Sequence, residues 1–499
     1  MRIAFEVQPT LDCPRPDQIV LNLQCRDEIV PILRALQFIY SDAYWRKTIL
    51  DLVGKDVNRN TSKKRGRTGL SYWEVTVLAA VRLGCNCDYD KLQNLAEEHR
   101  TLRLMMGIGT WEECQDDKRK RKKFDWSKIR DNVCLLRPET LKVINQAVVA
   151  AGHTLVPEAI KAVRGDSFVV ETDIHYPTES SLIGDGLRKV LQLSAALARE
   201  HGVDGWRQHQ HLDKTVREHV REIRDASRSK KANKDERVER CYRALLCTAT
   251  DLLGRATMLL ATVDLATSRA MDLLLSMAKR REIQHYVDLT RKVCDTARRR
   301  VLEGETVSNA DKIFSIYEPH TELIKRDKQP NPIQFGHNVL VIEDAVGFVC
   351  HYEVMANGIQ DVDIVVSAMK ELQNRSGGKI ERASFDRGFH SPENQKELAK
   401  IVKHPCLAAK GAHQGREQHE QASVEFRESR RRHPGVESAI GALQAGNGME
   451  RCRDRSQRGY ERYVGLGILG RNLHVLGKLL IAKEDSKCQA GKSKRKAVA

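Results

Sequence analysis

The strand-like segments of this sequence fall into two groups that lie far apart along the chain. Phe168, Val169 and Val170 form a short β-branched and aromatic run that leads into polar residues and ends at Asp173. Comparable runs return only beyond residues 181–309, a stretch whose apolar residues recur with helical periodicity. Because strands must pair with one another in a sheet, the pattern predicts an α/β core that a helical insertion interrupts after its first strand.

The later group of strand-like segments alternates with helices. Strand character resumes at 312–319. Residues 337–358 then predict a hairpin of two strands with a short break near Glu343 and Asp344. A helix, a strand that ends at Asp386, a second helix and a short final strand follow. This alternation is typical of a sheet with helices packed on it.

Shifts in composition indicate the outer boundaries of the domains. A basic, loop-like run closes an N-terminal segment and connector, residues 1–66. Short amphipathic helices and basic runs fill 67–155, which predicts a helical DNA-binding domain, although a solvated charged face on a structural domain has the same pattern. The α/β core would take 160–180 plus 310–482, and the basic tail 483–499 is predicted to be disordered.

The net charge of the chain favours a polyanionic partner. Lys and Arg number 84 and Asp and Glu 67, which gives a formal charge of +17. Such a surplus binds nucleic acid through counterion release, and an acidic membrane surface ranks second. No stretch of about 18 uncharged apolar residues occurs and the N-terminus lacks the layout of a signal peptide, so we expect a cytoplasmic protein without a membrane partner. The 13 cysteines are scattered and are interpreted as reduced thiols.

Three carboxylates stand where metal-dependent phosphodiester chemistry could use them. Asp173 and Asp386 each end a predicted strand directly after an apolar run. Glu437 lies in the first turns of a helix that Pro434 can open. Carboxylates can hold two cations about 4 Å apart, one activating the attacking oxygen and one stabilising the leaving oxygen. The three acids can meet if the two strands are neighbours, although a single acid at a strand end is more often a turn or cap residue.

The strings around these acids resemble those of a known family. They are ETDIHYPTESSLIGDGLRKV around Asp173, SIYEPHTELIKRDKQPNPIQFGHNVLVIE before the hairpin, ASFDRGFHSPENQ around Asp386, HPGVESAIGALQ around Glu437 and the closing RGYERYVGLGILGRNLHVLG. In this order they cover most of residues 160–480 and resemble the DDE transposases of bacterial insertion sequences, most closely the grouping called ISNCY. The earlier string RTGLSYWEVTVLAAVRL is similar to the helical start of such transposases.

The resemblance implies an RNase H-like catalytic core and a helical N-terminal DNA-binding domain. Asp173 would contact both of two Mg²⁺ or Mn²⁺ ions, while Asp386 and Glu437 would each complete the coordination of one. The enzyme would hydrolyse double-stranded DNA at terminal inverted repeats and free a 3′-hydroxyl, which would then attack target DNA. The family also implies a homo-oligomer on paired ends and a location on the bacterial nucleoid.

Two other functions remain open on this sequence. A nuclease or Holliday-junction resolvase on the same RNase H-like core would cleave without strand transfer. A catalytically inactive, transposase-derived protein would act only by occupying its DNA site. Joined DNA products would distinguish a transposase from the nuclease or resolvase. Cleavage that Asp386→Ala abolishes would exclude the inactive DNA-binding protein.

Further residues are candidates for DNA contact. His175 and His390 lie just beyond two of the acids and could touch metal, water or phosphate, although local hydrogen bonding is the commoner role of a loop histidine. Basic side chains beside or between the core strands could hold phosphates or remain solvated. These are Arg387, Lys325, Arg326, Lys328 and Lys410.

The surroundings of Glu437 depart from the family pattern. Many related transposases carry a Tyr, an Arg and a Lys around the final acid, and the corresponding places here hold Arg430, His433 and Gln444. Arg430, Arg431 and Arg432 could together supply phosphate contacts. Two rival acids, Asp361 and Asp363, precede a helix and are better interpreted as its cap.

Overall fold

The computed structural model divides into two compact units. One comprises Met1–Asp173 with Gly336–Ala499, and the other comprises Ile174–Phe335. The chain is mixed α/β, which confirms the predicted class. The residues that the structure describes are 13–59, 69–109, 122–263, 270–326, 332–408 and 423–498.

Helices fill the N-terminal part of the first unit. They are α1 (Ile29–Ser41), α2 (Ala43–Val57), α3 (Tyr72–Gly84), α4 (Tyr89–Glu98), α5 (Arg100–Met105), α6 (Trp126–Val133) and α7 (Pro138–His153). A capping box begins α3, because Ser71 Oγ accepts the Glu74 N–H and the Glu74 carboxylate accepts the Ser71 N–H. Pro138 occupies the first position of α7, as its sequence position predicts.

The sheet is assembled from strands that lie far apart in the sequence. They are β1 (Ala162–Thr172), β2 (Glu322–Lys325), β3 (Ile333–Asp344), β4 (Val349–Val354), β5 (Arg382–Phe385), β6 (His404–Leu407) and β7 (Arg451–Cys452). The order is β2-β3-β1-β5-β6, with β4 beside β3 and β7 beside β1. The β3–β4 hairpin is antiparallel and β3 is antiparallel to β1, whereas β1, β5 and β6 are parallel. The hairpin and the strand ending before Asp386 are therefore confirmed.

The second unit contains most of the helical insertion. Its helices are α8 (Glu179–His201), α9 (His209–Ser227), α10 (Lys234–Thr262) and α11 (Ala270–Ala297). The predicted stripes of α8 and α11 pack in a core separate from that of the first unit, with Leu187 and Val287 fully buried. The unit is wider than the expected insertion 181–309, because its core also takes in Ile316.

One expected strand is absent from the described residues. Residues 312–319 form no strand, and the strand of this region is the later β2. Ser315 Oγ accepts the Glu318 N–H at 3.0 Å, which closes a turn. Ile316 packs into the helical core instead of joining the sheet. The apolar residues that suggested a strand thus belong to a turn that packs against the helical core of the second unit.

The helices α12 (Asp361–Arg375), α13 (Pro392–Ile401), α14 (Val424–Arg432), α15 (Gly435–Gly441) and α16 (Gln457–Val498) complete the first unit. Helix α16 packs on α1, α3 and α7, so the N-terminal helices share one core with the sheet. At one crossing a Cβ on Gly470 would lie 2.6 Å from Gly84 Cα, so only glycine permits this approach.

The backbone of α16 is helical to Val498, where the sequence analysis expects a disordered tail. Extending an existing helix needs only propagation, which the Lys, Ala and Arg residues of the tail favour. Two described helices, Lys234–Thr262 and Gln457–Lys487, are long and apolar enough to cross a membrane by length and composition. The apolar window of the second is 72% buried, as in a core helix, so the test is weak evidence for a span.

Candidate carboxylate site on the central sheet

The register between β1 and β5 decides which aspartates are neighbours. These strands are parallel, and Gly165 lies opposite Phe385, the last residue of β5. Asp386 follows Phe385, so the β1 residue level with it is Asp166. Asp173 lies seven residues farther along, or about 23 Å at roughly 3.3 Å per residue. The register therefore places Asp166, and not the predicted Asp173, level with Asp386.

Asp173 has a different neighbour. β1 ends beside β7, where Glu171 and Thr172 pair with Arg451 and Cys452. The Asp173 carboxylate is 68% exposed and lies 3.7 Å from Arg451 Nη1. Arg451 Nη2 also lies 3.2 Å from Glu171. Asp173 therefore shares an exposed guanidinium with Glu171.

Asp166 and Asp386 project from the same face of the sheet. Side chains alternate along a strand, so Arg164 and Asp166 share one face while Gly165 faces the other. A Cβ on Gly165 would lie 2.4 Å from the Phe385 ring, which identifies that opposite face. Asp166 is half-buried and Asp386 is exposed. The two carboxylates thus project from one face of the sheet at the same level, one half-buried and the other exposed to solvent.

Helices α14 and α15 bring Glu437 to this same face. Arg164 Nη1 donates to the Arg432 carbonyl at 2.8 Å. A Cβ on Gly435 would lie 2.1 Å from Arg164 Nη1, so the start of α15 rests directly on that guanidinium. Glu437 occupies the first turn of α15, as predicted, and is exposed. The face that carries Asp166 is therefore covered by the segment that carries Glu437.

His433 is a buried group between these acids. Its Nδ1 lies 2.7 Å from Ser384 Oγ, which joins the α14–α15 junction to β5. Burial lowers the pKa of His433, and the nearby Arg430 lowers it further, while the charges of Asp386 and Glu437 act to raise it. Both carboxylates are close enough to influence one imidazole. Asp386 and Glu437 therefore both lie in the neighbourhood of His433.

A buried acid holds Arg164 in position. Arg164 Nε donates to Glu343 Oε1 at 2.5 Å, and only 1% of the Glu343 side chain is exposed. Burial raises the pKa of Glu343, while the charges of Arg164 and Arg471 oppose that rise. Burial also lowers the pKa of Arg471. This network anchors the guanidinium that supports α15.

Several other candidates occupy the same unit as the carboxylates. Arg387 is exposed in the turn after Asp386, and His390 is half-buried at the end of that turn. The last turn of α14 holds Arg430, Arg431 and Arg432. These basic side chains flank two of the three acids along the chain.

The remaining candidates lie elsewhere. His175, Lys325 and Arg326 belong to the second unit. His175 Nε2 is 3.3 Å from Ser181 Oγ and 3.5 Å from Asp185, the local bonding expected of a loop histidine. Lys328 and Lys410 fall outside the described residues.

The rival acids differ in their surroundings. The Asp363 carboxylate accepts the Gln360 N–H at 2.9 Å in a capping box, which agrees with its interpretation as a cap. Asp361 lies in the first turn of α12, beside Gly388 of the turn that follows Asp386, where a Cβ would be 3.1 Å from Asp361 Oδ2.

A separate group of His153, Asp344 and Cys350 could hold one metal ion, since its ligand atoms lie within 4.8 Å of one another. His153 Nε2 is 2.8 Å from Asp344 Oδ2, and Asp344 Oδ1 accepts the N–H groups of Val346, Gly347 and Phe348. Burial holds the pKa of Cys350 well above its usual range, and a thiol must lose its proton to bind metal. The group fits a hydrogen-bonded turn better than a metal centre.

Asp166 escaped the sequence analysis because it precedes the apolar run instead of following it. The string RGDSFVVETD contains two aspartates, and the rule that acids end strands selects the second. The relative lengths of the two parallel strands bear on which β1 residue lies level with Asp386. β1 has 11 residues and β5 has 4, so parallel strands that start level put the residue after β5 opposite the middle of β1.

Comparison of the chain with protein-family models, with curated proteins and with solved structures finds no match. The functional argument therefore depends on the register of the sheet and on the side chains that this register brings together.

Proposed function

We propose that the protein is a DDE-type transposase in which Asp166, Asp386 and Glu437 hold two Mg²⁺ or Mn²⁺ ions. The observation that carries the proposal is the β1–β5 register, which sets Asp166 beside Asp386 on the face covered by α15. The sheet order supports it too. A hairpin antiparallel to β1 on one side and parallel β5 and β6 on the other is the arrangement expected of an RNase H-like core.

The donor set fits the proposed metals. Mg²⁺ and Mn²⁺ favour carboxylate oxygens, and two of these acids are exposed while the third is half-buried. Bound ions would activate the attacking oxygen and stabilise the leaving oxygen of a phosphodiester. The chain's own part is to hold the carboxylates. Asp166 lies within β1 and Asp386 directly follows the paired end of β5, whereas Glu437 depends on Arg164 and on the Ser384–His433 contact.

Basic residues would hold the DNA against these acids. Arg387, Arg430, Arg431 and Arg432 are adjacent in sequence to Asp386 or near Glu437. Guanidinium groups bind phosphate oxygens with two parallel hydrogen bonds, so such residues position a backbone without reading its sequence. The formal charge of +17 supports a nucleic-acid partner. We propose that the enzyme acts in the bacterial cytoplasm, as an oligomer on paired terminal repeats.

The test is a cleavage and strand-transfer assay in Mg²⁺ or Mn²⁺, on DNA that carries the terminal repeats flanking the gene. Wild type, Asp166→Asn and the matched control Asp173→Asn are compared. We expect joined products from wild type and from Asp173→Asn, and none from Asp166→Asn.

Each other outcome points elsewhere. Cleavage without joining would favour the nuclease or resolvase. Binding without cleavage by wild type would favour the inactive DNA-binding protein. An active Asp166→Asn beside an inactive Asp173→Asn would overturn the assignment of the site.

A further inference from the structure

A small cavity in the second unit is lined by aromatic rings and cations. Its volume is about 210 Å³, and its lining includes Tyr176, Phe314, Phe335, Arg300 and Lys312. This is below the roughly 300–1,000 Å³ of sites that take drug-sized ligands. The cavity therefore suits a single planar ring system rather than a larger molecule.

The three aromatic rings form a chain that ends at the surface. The Tyr176 ring packs edge-on against Phe335, with centroids 5.7 Å apart, and Phe335 is 5.7 Å from Phe314. Phe314 is buried, whereas Tyr176 is 72% exposed. An exposed tyrosine backed by packed rings offers a π-face that is already held in place, which is what base stacking requires.

Cations at this cavity are only partly neutralised by described acids. Arg300 pairs with Glu179, but Lys312 donates to the neutral Asn309 Oδ1 at 3.4 Å. Partial burial lowers the pKa of Lys312, and the charges of Arg300 and Lys325 lower it further. Arg300 and Lys312 both line the cavity, so an anion bound there would be attracted by two cations. A phosphate is the anion that accompanies a nucleobase.

We propose that this cavity binds an unpaired nucleobase of single-stranded DNA, stacked on Tyr176, with the adjacent phosphate held by Lys312. A base inside a duplex is stacked on its neighbours and cannot offer a face to a side chain. The site thus distinguishes single strands or frayed ends from paired DNA. It gives the second unit a role that does not depend on the carboxylate chemistry.

Binding is measured with full-length protein in excess chelator, so that no cleavage occurs. The probes are a fluorescent single-stranded oligonucleotide and the blunt duplex of the same length. Loss of one stacked base costs single-strand affinity roughly 5- to 150-fold, and we expect Tyr176→Ala to fall in this range. Tyr176→Phe keeps the ring and should retain affinity. Tyr44→Ala, at another exposed tyrosine (67%) in the first unit, is the matched control.

Stacking itself is read from an oligonucleotide that contains 2-aminopurine. Its fluorescence should be quenched by wild type and by Tyr176→Phe but not by Tyr176→Ala. Equal single-strand affinity of Tyr176→Ala and wild type would overturn the proposal. So would an equal loss of affinity for duplex, because a general backbone contact would explain it.

The phosphate contact has its own signature in salt dependence. Lys312→Gln should reduce the slope of log affinity against log salt by about 0.7 for a single strand, the value for one lost phosphate contact. Lys214→Gln, an exposed lysine of α9, serves as the control. An unchanged slope in Lys312→Gln would contradict the proposed contact between Lys312 and a phosphate.

The failure of this inference is distinguishable from failure of the proposed transposase. If single-strand binding depends on Tyr176 but the protein never cleaves DNA, the nucleobase site is supported and the proposed transposase activity is contradicted. If the protein cleaves DNA but its single-strand affinity does not change in Tyr176→Ala, the transposase proposal is supported and the nucleobase site is contradicted.

Discussion

Strand β1 carries one aspartate near its middle, Asp166, and is followed directly by another, Asp173, in a different setting. Asp166 lies beside Asp386, on the face where α15 brings Glu437. Asp173 lies beside the exposed Arg451. Near Asp166, the guanidinium of Arg164 supports α15 and is anchored by the buried Glu343, whereas near Asp173 the guanidinium of Arg451 pairs with two acids in the open.

The difference teaches that the neighbours across the sheet decide what an acid can do. Carboxylates that converge repel one another, and a bound cation relieves that repulsion. An acid paired with an exposed arginine has no such need and contributes little to stability. The following predictions test whether the surroundings of Asp166 and of Asp173 differ in this way.

The largest expected effect is on catalysis. Asp166→Asn, Asp386→Asn and Glu437→Gln should each reduce cleavage by at least about 10²- to 10³-fold, because each removes charge that positions the stabilising cations. Asp173→Asn should stay close to wild type. Single-turnover cleavage with saturating DNA measures this. A normal rate in any of the three variants would mean that its acid is misassigned.

The second effect is on the free energy of unfolding, and it compares Arg164, near Asp166, with Arg451, near Asp173. Arg164→Met leaves Glu343 buried without its ion-pair partner, which should lower the free energy of unfolding by about 3 kcal/mol or more. Arg451→Met breaks only an exposed contact and should cost less than about 1 kcal/mol. Urea unfolding measures both. Equal losses would show that the Arg164 pair is no more buried in solution than that of Arg451.

Metal binding can be followed without any reaction. At about 100 times its dissociation constant, a cation that binds only the folded protein stabilises it by about 2.7 kcal/mol. Mn²⁺ should therefore raise the melting temperature of wild type and of Asp173→Asn, and should raise that of Asp166→Asn much less. A rise that persists in Asp166→Asn but vanishes in Cys350→Ser would instead locate the ion at the His153–Asp344–Cys350 group.

The smallest effect concerns His433, which holds α15 to β5 through Ser384. His433→Ala should increase the Mn²⁺ concentration needed for half-maximal cleavage by roughly 10- to 100-fold, as expected when a group that orients metal ligands is lost. His433→Asn retains a hydrogen-bonding side chain and should recover part of this. A lower maximal rate at an unchanged Mn²⁺ requirement would contradict a role in positioning the ligands.

Local features of the fold were predictable because neighbouring residues determine them. The β3–β4 hairpin and the capped helix α13 occur where their turn and cap residues predict. The run at 312–319 was misinterpreted, since Ile316 packs in the helical core of the second unit and periodicity alone does not reveal which core buries a residue. Asp386 and Glu437 occupy the predicted places in the fold, directly after a strand and in the first turn of a helix, because each adjoins a recognisable element.

The sequence by itself determined the α/β class and the helical interruption after the first strand, and it singled out Asp386 and Glu437, two of the acids that we propose as metal ligands. All of these follow from local patterns and from resemblance of short strings. Only the tertiary structure decided that Asp166, not Asp173, lies level with Asp386. Strand register is a relation between segments more than 200 residues apart, and a shift along β1 moves a carboxylate by about 3.3 Å per residue while leaving the local sequence pattern unchanged.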